Sequence, residues 1–235
     1  DENGAKVSFK TMTSGGIKTI DSFTTDENGC VYTVEKLLKG SYTLVETKAP
    51  EGYVLDSTPV SFTVSEDTYT TENGIGIIIA EKTDKAVTGQ LTVTKTGEVL
   101  DEYKGGLYVN PDEKGFTYRE GSLAGAVFKI YAAEDIYTED NQKDADGNRI
   151  KYYSNGDIVT TITTGSDGKA VANNLPLGRY RVVEVTAPDG YVLNTDGQDV
   201  TFVYVDDKTP VINENLTFSD DRQKVELFVS KLDSE

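Results

Sequence analysis

Hydrophobic and polar residues alternate along most of the chain. Typical runs are Val60-Ser61-Phe62-Thr63-Val64, Leu91-Thr92-Val93-Thr94, Tyr180-Arg181-Val182-Val183 and Val200-Thr201-Phe202-Val203-Tyr204. A period of two puts every second side chain on one face of a strand, so these runs predict half-buried β-strands. Thr, Val and Tyr dominate them and suit a pleated surface. No sustained stripe at i, i+3, i+4, i+7 marks a helix. Turn clusters separate the runs: Asp26-Glu27-Asn28-Gly29, Asp146-Gly147-Asn148, Ser154-Asn155-Gly156 and Ser166-Asp167-Gly168. Short strands punctuated this way predict all-β sandwiches or barrels. The longest apolar stretch, Ile75 to Ala80, is far shorter than the ~20 residues of a membrane helix and reads as a buried strand.

The alternation also repeats on a larger scale. Residues 37–55, LLKGSYTLVETKAPEGYVL, match residues 175–193, LPLGRYRVVEVTAPDGYVL, at eleven of nineteen positions. Upstream, TTDENG (24–29) matches TTGSDG (163–168); downstream, VSFTV (60–64) matches VTFVY (200–204). A repeat of this kind predicts two homologous units, joined near residues 82–90. Within each copy a Gly (Gly40, Gly178) feeds a strand on which Tyr42, Leu44 and Glu46, or Tyr180, Val182 and Glu184, share one face. Each Glu therefore points inward beside a Tyr and an aliphatic residue. Ala-Pro ends the strand, because Pro cannot donate to a ladder.

Composition narrows the function. The 235 residues carry 40 acids against 23 bases, a net charge of −17. Nucleic acid is disfavoured as a partner, since phosphate binding needs a basic face, and so is an anionic membrane surface. There is no His, which removes His-dependent triads and His-containing zinc sites. Cys30 is the one cysteine, so no internal disulfide forms; it reads as a plain strand residue. Asp144-Ala-Asp-Gly-Asn148 has the flavour of calcium ligands, but its Gly is misplaced for an EF-hand loop and it reads as a hairpin turn. No cofactor or metal is expected. The chain opens at Asp1 without a basic-then-apolar leader, which fits a removed leader or an internal fragment.

The stretch G-x-Y-x-[LV]-V-E-x-x-A-P-[ED]-G-Y-V-L resembles the signature of collagen-adhesin B-type repeat domains of Gram-positive pilins and adhesins. LTVTKTG (91–97) resembles the family's first strand, and LAGAVFKIYAAEDIY (123–137) its second. The resemblance implies two tandem prealbumin-like, inverse-immunoglobulin Greek-key β-sandwich domains. They are expected at 1–85, incomplete at its N-terminus, and 86–225, with long excursions at 101–122 and 133–157 that read as loops. Residues 226–235 would be the first strand of a following domain or a tail, with Lys231 as its first-strand Lys.

Many members of that family form an internal amide between a first-strand Lys and a last-strand Asn or Asp, promoted by a buried Glu. Carried over, the second unit offers Lys95, the acceptor Asp220 in FSDDRQKV (218–225), and Glu184 as promoting acid. In the first unit Glu46 is the equivalent acid. Alignment on IIIAEK (77–82) puts Ala80 at the acceptor position, and Ala has no carboxyl to attack. Asp84 is the other candidate, because it precedes Lys95 by eleven residues as Asp220 precedes Lys231. Lys10 is the candidate donor, although its stretch resembles the second strand as well as the first.

The chemistry expected of these residues is autocatalytic, not enzymatic turnover. Burial disfavours the charged form of a Lys and raises the pKa of a Glu, so a buried trio favours a neutral amine and a Glu able to shuttle protons. The implied function is a stalk segment of a cell-wall-anchored surface protein, with neighbouring domains of the same protein as partners. The alternative is that the domains themselves bind host matrix protein or glycan, since loops carry recognition.

Overall fold

The computed structural model describes residues 1–13, 16–26, 29–31, 37–66, 70–72, 75–105, 115–140, 142–225 and 228–231. The centre of the Asp26–Gly29 turn and most of 226–235 lie outside the described residues. All regular structure among the described residues is β-strand, and no helix is long and apolar enough to cross a membrane. The chain divides into two compact units. One comprises Asp1–Ala49 with Leu55–Asp84; the other comprises Pro50–Val54 with Lys85–Glu235.

In the first unit, β1 (Phe9–Thr13) and β2 (Gly16–Ile20) form a hairpin. β3 (Gly40–Leu44) follows, and β4 (Tyr53–Val54) after it belongs to the second unit. β3 pairs antiparallel with β5 (Val60–Val64), which sets Tyr42 opposite Phe62 with ring centroids 5.6 Å apart. β6 (Thr70–Glu72) pairs with β7 (Ile75–Ile77). Among the described residues of this unit, Phe9 and Ala49 are the buried apolar side chains.

The second unit is a two-sheet sandwich. β8 (Lys85–Ala86) pairs with β4, and the chain then enters β9 (Thr88–Lys104), the spine of the first sheet. After β10 (Gly115–Ser122) come β11 (Val127–Ala132), the short pair β12 (Ile136–Tyr137) and β13 (Lys151–Tyr153), and β14 (Ile158–Thr163). β15 (Lys169–Leu175), β16 (Gly178–Thr186), β17 (Gln198–Phe202) and β18 (Val211–Asp220) complete it. β15 and β18 flank the first half of β9, β15 antiparallel and β18 parallel; the facing sheet runs β14-β11-β16-β17. Consecutive strands repeatedly change sheet, as expected of a Greek key. Gly178 starts β16 at φ +148°, a backbone conformation that favours Gly, and a Cβ there would stand 3.0 Å from Ile136 Cγ1.

Alternation builds the core. Leu91 and Val93 of β9 meet Phe128 and Ile130 of β11, Tyr180 and Val182 of β16, Phe202 of β17 and Phe218 of β18, all buried. The excursion at 101–122 departs from its reading as a loop. Its described residues extend β9 and form β10, antiparallel from Thr96↔Ser122 to Lys104↔Gly115. Their side chains are mostly exposed, so no buried face imposed an alternating pattern on the sequence.

Candidate functional site

The parity that buries Leu91 and Val93 also buries Lys95, which is 0% exposed. On β16 it buries Glu184 after Tyr180 and Val182; on β18 it buries Asp220 after Phe218. Phe218 lies directly opposite Lys95 in the parallel ladder and Asp220 lies opposite Gly97. Lys95 therefore needs only its own stem to reach the Asp220 carboxyl. Glu184 enters from the facing sheet. The sequence-predicted trio is thus brought together by three strands that each put a polar group at an inward position.

Lys95 Nζ donates to Glu184 Oε2 at 3.1 Å and pairs with Asp220 Oδ1. The phenyl rings of Phe128 and Phe218, 4.8 Å apart, wall the site, and Nζ stands 5.8 Å from the Phe128 centroid. Glu184 Oε1 and Asp220 Oδ2 find no hydrogen-bond partner among the described residues. Burial pushes the Glu184 carboxyl above its ordinary range; Lys95 opposes that rise and the adjacent Asp220 adds to it. An amine and two carboxyls in a dry core are a poor stability device, because desolvation offsets much of the ion-pair attraction. An unpaired buried oxygen costs a further ~1–3 kcal/mol. A neutral amide between Lys95 and Asp220 would remove both charges.

The segment after β16 contacts all three participants' strands. The Asn194 N–H donates to Glu184 Oε2 at 3.4 Å. Past Asp220 the chain leaves β9 and pairs Arg222 with Tyr191, through Val192 N–H to Asp221 O at 2.8 Å and Gln223 N–H to Gly190 O at 2.8 Å. The Tyr191 hydroxyl donates to Glu98 O at 2.7 Å. Sequence reasoning missed these roles, because they depend on which strands become neighbours.

The first copy of the repeated motif carries part of this arrangement. Tyr53 pairs with Ala86 as Tyr191 pairs with Arg222, and Val87 N–H donates to Gly52 O at 2.8 Å as Gln223 does to Gly190. This register puts Asp84, not Ala80, at the position of Asp220. The alignment on IIIAEK is corrected accordingly; the eleven-residue spacing from Asp84 to Lys95 was the sequence signal that pointed to it. Glu46 is half-buried, and burial together with the Asp84 carboxyl raises its pKa; the Asp56 backbone opposes the rise, and so does the field of Lys82. Asp56 follows Glu46 by ten residues, as Asn194 follows Glu184. Lys82 donates to Thr58 O at 2.7 Å and lies 3.5 Å from Asp56. Lys10 is exposed on β1.

The other singled-out residues have local roles. The Asp144 Oδ1 accepts the N–H groups of Asp146 at 3.0 Å and Asn148 at 2.9 Å, which closes a turn. Cys30 is exposed, and its main chain closes a turn with Asp26 in place of the expected strand.

A family model described as the SpaA prealbumin-like fold domain matches residues 1–77 and 117–216. The chain belongs to this family. Its fold is the tandem prealbumin-like β-sandwich that the resemblance implies, over the two homologous units that the repeat predicts. Glu46 and Glu184 fall inside the matched stretches of the SpaA-type model, whereas Lys95 and Asp220 fall outside them. Serine-aspartate repeat-containing protein F of Staphylococcus epidermidis is 28% identical over 93% of this chain, which spans 12% of that relative. The trypsin-resistant surface T6 protein of Streptococcus pyogenes serotype M6 is 29% identical over 31% of the chain and 14% of its own length. The chain thus spans about an eighth of the curated relatives it matches. Among solved structures, the Bacillus anthracis TIE protein superposes with a TM-score of 0.52 at 22% identity. That match covers 92% of this chain and 30% of the other, a likeness of fold.

Proposed function

We propose that the chain is a stalk segment of a Gram-positive cell-surface protein, a pilin or wall-anchored adhesin, whose second domain is stiffened by a self-formed Lys95–Asp220 isopeptide bond. The observation that carries this reading is the fully buried Lys95 held between Glu184 and Asp220. The location and the stalk role rest on similarity to a relative that is a surface protein by name, the trypsin-resistant surface T6 protein. The partners are then the neighbouring domains of the same protein.

The mechanism balances without any outside reagent. Lys95 passes its ammonium proton through Glu184 to the Asp220 carboxylate, making the hydroxyl that will leave, and the amine so formed attacks Asp220 Cγ. A C–N bond forms and a C–O bond breaks. Glu184 takes a proton from the attacking nitrogen and returns it to the departing hydroxyl, which leaves as water. Fixed geometry between adjacent strands can supply about 7–11 kcal/mol of the barrier reduction. The product is an amide and the site is consumed, so there is no turnover and no enzyme activity. Intact mass decides the matter. The expected value is one water, about 18 Da, below the plain sequence mass, with a Lys95–Asp220 linked peptide after digestion; this follows from the condensation that closes the staple. A full sequence mass would refute the bond.

One observation favours a second reading, an adhesive module for host matrix protein or glycan. Tyr103 and Phe116 stack at 4.8 Å on the β9–β10 extension, yet are 62% and 60% exposed. Exposed aromatic pairs suit sugar or protein contact. A binding screen against matrix proteins and glycans, with Tyr103→Ala as control, tests this reading; a flat result leaves the stalk.

A further inference from the structure

Three segments must be in register before Lys95 can meet Asp220, and one side chain touches two of them. The Tyr191 ring lies over Gly97: a Cβ at Gly97 would stand 3.1 Å from Tyr191 Cε1 and 2.7 Å from Asp220 O. Its hydroxyl donates to Glu98 O, three residues beyond Lys95 on the same strand. Its own backbone pairs with Arg222, two residues beyond Asp220, and Gln223 Nε2 donates to Tyr191 O at 3.2 Å. Three residues further on, the Asn194 N–H reaches Glu184.

We propose that Tyr191 is a positioning residue for the Lys95–Asp220 condensation, fastening the end of the acceptor strand to the donor strand. The inference rests on the cross-link reading above and adds to it. The physical need is register. Slipping a strand by one residue turns its side chains to the other face, which would carry Asp220 out of the core. Asp220 is the last residue of its strand, so the ladder secures it from one side only. Tyr191 supplies the hold on the other side. A misplacement of about 1 Å can cost a reaction of this kind roughly a hundredfold.

The test follows the rate of water loss. Wild-type chain, Tyr191→Phe, Tyr191→Ala and Tyr180→Phe are each made by cell-free synthesis, and intact mass is sampled against time. Tyr180→Phe is the control, since its hydroxyl also donates to a carbonyl, Pro176 O at 2.6 Å, on the sheet that carries Glu184. Losing one such bond slows Tyr191→Phe by about fivefold. Tyr191→Ala, lacking the ring as well, is slower still, while Tyr180→Phe keeps the wild-type rate. If the alanine variant fails to fold, the phenylalanine variant carries the comparison. Wild type losing water while Tyr191→Phe keeps pace overturns the positioning role alone. Equal slowing of Tyr180→Phe also overturns it, because the effect is then general stability. Wild type that never loses water overturns the cross-link reading and this role with it.

Discussion

Replacing Glu184 with Gln keeps the size of the side chain and removes its ability to carry a proton. The Lys95 amine and the Asp220 carboxyl remain, so the domain folds with the pair unreacted. The staple it loses encloses about 125 residues, from Lys95 to Asp220. On the chain-entropy model a closed loop of that length restricts the unfolded ensemble by about 4.9 kcal/mol. For a domain of roughly 140 residues each kcal/mol moves the melting temperature by about 2–5 °C, so Glu184→Gln should melt about 10–25 °C below wild type. Lys95→Met should fall by a similar amount, because what the two variants share is the missing amide. Differential scanning calorimetry paired with intact mass makes the comparison. Wild type lacking one water, yet melting within a few degrees of both variants, would refute the entropic argument.

Three further outcomes are expected. Gly97→Ala should destabilise the second domain by about 1–3 kcal/mol in urea titration, because its Cβ would crowd Asp220 O at 2.7 Å and Leu123 Cδ1 at 2.8 Å, and a null result would show that the strands can part. In Lys95→Ala, Glu184 keeps the upward push of burial and loses the cation that opposed it. A raised carboxyl pKa contributes stability that is full below the unfolded value of about 4.3 and lost as pH rises through the folded value, so thermal stability should fall from pH 4 to pH 8 relative to Lys95→Ala/Glu184→Gln; parallel curves would contradict this. Calorimetry of the wild-type chain should show two transitions. The lower belongs to the first unit, whose described residues bury only Phe9 and Ala49, against the large cluster of the second, and a single shared transition would count against it.

What was legible in the sequence was whatever depends on local parity. Lys95 and Asp220 could be named in advance only through the resemblance to the repeat family, whereas the inward direction of Glu184, on one face with Tyr180 and Val182, follows from period two alone. The motif repeat located the strands on which they sit. The position in the first copy that corresponds to Asp220 was obscured because the apolar triplet at 77–79 mimics a last strand, whereas hydrogen bonds between residues 52–53 and 86–87 put Asp84 there. Tyr191 and Asn194 were missed for the same reason: their partners are 93 and 10 residues away in the chain, and one of the two donors is a backbone N–H. The β9–β10 extension gave no signal because neither of its faces is buried along most of its length.

The parallel pairing of β18 with β9 has a mechanical meaning. When the chain is pulled at its two ends, tension enters at the start of β9 and leaves at the end of β18. Parallel neighbours loaded from opposite ends slide along each other, so the ladder from Val211↔Thr88 to Asp220↔Gly97 is strained in shear, many bonds at once, and does not unzip one bond at a time. With the amide in place the load passes from Lys95 straight to Asp220. The roughly 125 residues between them, which could otherwise pay out about 400 Å of slack, lie off the load path.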